Sequence, residues 1–149
     1  MSELSKETLM LTDLAKIQKE LQAVVKSSKN PFFKSSYADL NAHLSVIRPL
    51  CIKHGFVLEQ STTIINSSTG AVNAVMSRIS HIETGLTKES VVVIPELDGD
   101  MQKIGGAITY ARRYTLSALF GMMAEDDDGN LASGKTTKFE KTKPKSELF

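Results

Sequence analysis

The sequence predicts an α+β fold: two helices, a three-stranded antiparallel meander, and a closing helix. Apolar residues recur at 3-and-4 spacing over about residues 5–26, again from 40 to 51, and again over 101–122, as amphipathic helices require. Residues 56–94 are instead rich in Val, Ile and Thr, with partial alternation. Two turn clusters, Ser67-Ser68-Thr69-Gly70 and Glu83-Thr84-Gly85, divide that stretch into three strands.

Each element has its own signals. The first helix rests on apolar residues at 11, 14, 17, 21, 24 and 25. Lys26-Ser-Ser-Lys-Asn-Pro31 then reads as a loop, because Asn-Pro disfavours helix. The second helix follows Phe32–Tyr37, with Ser36 and Asp39 as a start resembling a capping box and Gly55 as its stop. Pro49 is expected to bend or divide it, since proline lacks the N–H and crowds the preceding turn. The strands are expected at Phe56–Ile65, Ala71–Ile82 and Leu86–Ile94, ended by Pro95, Gly99 and neighbouring acids. The third helix has apolar positions at 101, 104, 108, 111, 118, 119 and 122. Residues 1–130 thus form one domain, and 131–149 read as a flexible, Lys-rich tail of low apolar content.

The charge balance looks unsuited to nucleic acid until it is divided. The 149 residues carry 18 Lys+Arg against 17 Asp+Glu. Residues 1–130 hold a net of −2 and residues 131–149 a net of +3. A nearly neutral total can hide local patches, because only the cations that touch phosphate release counterions. No stretch approaches the roughly 20 apolar residues of a membrane span. The N-terminus lacks the basic-then-apolar order of a signal peptide. The single cysteine, Cys51, suits a reducing cytosol and reads as a small buried apolar residue.

The third helix carries the chemistry. With Ile108 at the centre of the apolar stripe, Lys103, Gly106, Tyr110, Arg113 and Ser117 fall on the opposite face. Arg112 falls at the stripe's edge, in the row of Gly105 and Thr109. Cations hold phosphate, aromatics stack bases, and glycine lets a backbone come close. Spacing alone leaves a second reading open, that of a solvated helix face. Two interior glycines cost a helix about 1–2 kcal/mol relative to Ala, which asks for a close approach by a helix, a sheet or a ligand.

Ile108-Thr-Tyr-Ala-Arg-Arg-Tyr-Thr-Leu-Ser-Ala-Leu-Phe-Gly121, followed by Glu125-Asp-Asp-Asp-Gly129, resembles the signature of the ERF (essential recombination function) family of phage single-strand annealing proteins. Asn30–Leu40 and Ile47–Gly55 are similar to that family's earlier blocks, so the resemblance runs over about residues 10–130. It implies a β-β-β-α annealing-recombinase core, working in the cytoplasm of a bacterial host. It implies binding of single-stranded DNA, ATP-independent annealing, and a homo-oligomer in the form of a ring or helical filament. Basic residues of the core helix would line the DNA groove, here Arg112 and Arg113. A basic and aromatic segment before the sheet would face it too, here Lys34 and Tyr37. The implied chemistry is physical rather than enzymatic and needs no cofactor; no GxxxxGK[ST] phosphate loop is present.

Other candidates are weaker. Asp126-Asp127-Asp128 offers hard oxygen ligands, and a metal-dependent nuclease is the leading rival from another class. Adjacent carboxylates cannot all converge on one ion without a special turn, and most acidic runs are solvated. His43, His54 and His81 have no spacing that forms a metal site or triad; His54 beside Gly55 is expected to favour its helix end. Phe32 and Phe33 read as a loop anchor, Tyr110 as the better stacking residue, and Tyr114 as intermediate. Ser146-Glu-Leu-Phe149 is similar, over four residues only, to the peptide tips by which single-strand-binding proteins recruit partners. A third reading is therefore a protein-interaction module that recruits a replication protein.

Overall fold

The computed structural model describes residues 1–26, 40–96 and 98–122. Its elements run α1 (Glu3–Lys26), α2 (Leu40–Lys53), β1 (Phe56–Ser67), β2 (Gly70–His81), β3 (Thr87–Val93) and α3 (Met101–Phe120). This is the α+β order expected, with a β1-β2-β3 antiparallel meander. Lys34, Tyr37 and the Ser36–Asp39 start lie outside the described residues, as do Asp126–Asp128 and the tail.

The meander's register sets which side chains face the helices. Phe56 pairs with His81 and Ser67 with Gly70, so the first hairpin turns through only two residues. β2 and β3 pair from Ser80–Thr87 to Ala74–Val93. Side chains alternate across a sheet, so Phe56, Leu58 and Gln60 share one face with Val75, Ser77, Ile79 and His81. The core lies on that face: Phe56 and Ile79 pack with Met10, Leu14, Ile17 and Leu21 of α1, with Leu40, Leu44, Ile47 and Cys51 of α2, and with Leu116 and Phe120 of α3. On the other face Glu59, Arg78 and Glu89 form a row, with Arg78 Nε donating to Glu89 Oε1 at 2.7 Å.

Helix registers shift slightly from expectation. In α1 the buried row begins at Met10, leaving Leu11 exposed, because 10, 14, 17 and 21 form one continuous stripe. In α3 the buried residues are Ala111, Thr115, Leu116 and Phe120, whereas Met101 and Ala118 are exposed. Pro49 does not divide α2, which runs unbroken from Leu40 to Lys53. Two caps fix α3. Asp100 Oδ1 accepts from the N–H groups of Gln102 and Lys103, and Gly121 closes the other end at φ +61°, with the Met122 N–H donating to the Ser117 carbonyl at 2.9 Å. Gln18 Nε2 reaches across from α1 to the Phe120 carbonyl at 3.2 Å.

Two of the histidines, His54 and His81, are structural. His54 bonds Glu20 at 3.1 Å, linking the end of α2 to α1 as well as following the helix end. His81 is fully buried between Asp13, 3.1 Å away, and Thr84, 2.8 Å away. Lys16, with His81 also contributing, holds the Asp13 carboxyl below its ordinary 3.8; Lys53 and then His54 hold Glu20 below 4.5. Depressed carboxylates stabilise the fold above their unfolded values, and that stabilisation is lost as pH falls through the lower folded values. Stability should therefore decline with acidification below about pH 4.5. The D13N/E20Q variant should show a flatter decline there in denaturant titrations. Burial pushes the Cys51 thiol up to about 11, which leaves it an unreactive core residue.

Candidate nucleic-acid interface

α3 presents two different arginines. Successive helical residues are turned by about 100°, so Arg112 and Arg113 leave the axis in different directions. Arg113 lies toward solvent, its Cζ 5.3 Å from the centroid of the Tyr110 ring, within cation–π range. Tyr110 and Tyr114 touch through their hydroxyls at 2.6 Å, with ring centroids 4.4 Å apart. Both rings are about half exposed, at 53% and 47%. The result is a solvent-facing ledge of two aromatic rings and one guanidinium, held by spacing of three and four residues within one helix.

Arg112 lies closer to the sheet than the stripe's edge. Its Nε donates to Gln60 Oε1 of β1 at 3.0 Å. Arg112 and Arg113 have no acidic partner among the described residues, unlike Arg78, which Glu89 neutralises. Lys103 is exposed one turn into α3, with Nζ 4.0 Å from Asp100 Oδ2, so its charge is partly offset. Of the six residues singled out, the structure brings Tyr110, Arg112 and Arg113 within a single turn of α3, with Lys103 about two turns nearer the start of the same helix.

Gly105 and Gly106 face open space. A methyl group at either position would meet no atom within 4 Å outside its own neighbourhood. Among the described residues, then, neither another helix nor the sheet makes the close approach that would explain them. Gly106 lies between Lys103 and Tyr110 on the outward face, leaving one bare turn there.

A groove of about 740 Å³ separates the far end of the β1–β2 hairpin from the start of α3. Thr62, Ile64, Ala74, Ile94, Ile104 and Ile108 line its apolar part, and Glu96 and Asp98 lie at its rim. Carboxylates repel phosphate, so this groove suits a nucleic-acid backbone less well than the arginine face of α3. Gln60, Ser77 and Thr115 were not legible as site residues from the sequence. The available signal was a polar residue in each inward-facing row: Gln60 after Leu58, Ser77 between Val75 and Ile79, and Thr115 beside Leu116.

A helix pair, a three-stranded meander and a closing helix with an arginine and tyrosine face together define an α+β protein with a cationic and aromatic face on α3. The chain belongs to the ERF superfamily, which it matches over residues 10–148. That match extends past residue 130, where the resemblance read from sequence blocks stops. No curated protein and no solved structure matches the chain. No helix among the described residues is long and apolar enough to cross a membrane.

Proposed function

We propose that this chain binds single-stranded DNA along the outward side of α3 and anneals complementary strands without ATP, in phage recombination within the host cytoplasm. The observation that carries the reading is the Tyr110–Arg113–Tyr114 ledge beside Arg112, where two arginines have no acidic partner among the described residues. Membership of the ERF superfamily supports it. Guanidinium groups would hold phosphates by charge-assisted hydrogen bonds, while the tyrosine faces support bases. Base edges left outward could then sample a second strand, and stacking of about 1–2 kcal/mol per step would drive pairing. Nothing in this sequence of events forms or breaks a covalent bond. Residues 1–130 act as the annealing domain in this reading, and the Lys-rich residues 131–149 as an accessory tail that meets a single-strand-binding protein. Because each subunit offers few cations, binding is collective, in a homo-oligomer that aligns many α3 faces along one strand. Titration of a labelled oligothymidylate, run beside a mass measurement, tests this. Tight, salt-sensitive binding by a multimer is expected, and absence of binding at low salt would refute it.

The bare turn of α3 gives a second test with opposite signs. Gly106→Leu should stabilise the isolated fold by about 0.5–1 kcal/mol, because Leu is the better helix former and the position is open. The same change should weaken DNA binding several-fold if a strand passes close to Gly106. Thermal melting and oligonucleotide titration of one preparation check both.

A further inference from the structure

Beneath the arginine face lies a polar network that the proposed annealing chemistry does not by itself require. Gln60 Nε2 donates to the Arg112 carbonyl at 2.9 Å and to Ser77 Oγ at 2.8 Å, using both of its N–H groups. Its Oε1 accepts from Arg112 Nε at 3.0 Å. Thr115 Oγ1 donates to the Arg112 carbonyl at 3.1 Å, and Ser77 and Thr115 hydroxyls are 2.7 Å apart. Only one direction then satisfies every donor: Gln60 to Ser77, Ser77 to Thr115, and Thr115 to the Arg112 carbonyl. Ser77 and Thr115 are fully buried, so the chain is anchored in the core rather than in solvent.

We infer that Gln60 is a positioning residue for Arg112, holding its guanidinium toward phosphate while leaving its charge unspent. This rests on the reading of Arg112 as a phosphate ligand. A free arginine loses about 2 kcal/mol of rotamer entropy when it is ordered, and a side chain already held loses less on binding. The amide suits the task because it is neutral. It occupies Nε and leaves the two terminal nitrogens, the pair that forks onto an anion, without a partner among the described residues. A carboxylate at this position would hold the same Nε but would compete with phosphate for the charge. It would also lose the N–H that ties β1 to the Arg112 carbonyl of α3 and the one that reaches Ser77 of β2.

The test is a double-mutant cycle on the full-length protein, read by oligothymidylate titration at several salt concentrations. Arg112→Ala should weaken binding about tenfold, and Gln60→Met about three- to tenfold, with the fold kept as judged by circular dichroism. In the Arg112→Ala background, Gln60→Met should cost less than about twofold, because a residue that acts through Arg112 has nothing left to position. Gln60→Glu is the second arm. It should reduce the salt slope by about 0.7 per bound subunit, as loss of one phosphate contact does. Full additivity of Met and Ala, or an unchanged slope with Glu, would overturn the positioning role while leaving the DNA site intact. An Arg112→Ala variant that binds normally would instead remove Arg112 from the proposed site and the inference with it.

Discussion

Replacing Arg112 and Arg113 together with Ala is expected to weaken binding to single-stranded DNA by about 10- to 100-fold, with the fold retained. The two residues do different work. Arg112 is fixed to β1 through Gln60, whereas Arg113 lies over the Tyr110 ring at 5.3 Å. Neither side chain is part of the apolar cluster that joins sheet and helices, so the fold should be retained, with the melting temperature lowered by only a few degrees because Gln60 Oε1 loses its donor. Each phosphate contact to a single strand contributes about 0.7 to the salt slope, so the double variant should bind with a slope lower by about 1.4 per subunit. A loss of affinity at unchanged slope would mean that the arginines act through the tyrosine ledge rather than on phosphate. Unchanged affinity and slope would place the DNA on another surface.

Phe120→Ala should be the most damaging single change to the fold, at about 3–5 kcal/mol. Phe120 is 1% exposed and joins α3 to the cluster shared by α1, α2 and the sheet. Removing the ring empties a volume that neighbours cannot refill, because Gly121 and the Gln18 bond to the Phe120 carbonyl pin the backbone there. For a chain of this length the melting temperature should fall by roughly 6–20 °C. Phe120 lies two turns beyond Arg113, so DNA affinity measured well below the melting point should survive. A melting shift of only a degree or two would show that the end of α3 is not packed as described.

Much of this arrangement is visible in the sequence, because each element obeys one period. The three strands stand out through their Val, Ile and Thr content and two short turns. The outward setting of Lys103, Tyr110 and Arg113 follows from 100° steps around a helix. What periodicity could not supply is contact across the chain. Gln60 and Arg112 are 52 residues apart, and His81 and Asp13 are 68 apart. Each pair places a polar side chain in an otherwise inward-facing row, which marks both residues as unusual without naming the partner. Asp100 as the cap of α3 was also obscured, since it ends an acidic stretch that reads first as a sheet terminator. Pro49 shows the converse: local chemistry argues for a break, but Leu40, Leu44, Ile47 and Cys51 all bury on one core, and packing keeps the helix whole.

Annealing of two complementary oligonucleotides, in EDTA and without any nucleotide, tests the central claim most directly. The protein should accelerate duplex formation over the spontaneous rate, and the Arg112/Arg113 double variant should not. Acceleration that requires ATP, or none at all under conditions where the protein binds each strand, would contradict the claim. Shortening of the strands on adding magnesium would point instead to a nuclease.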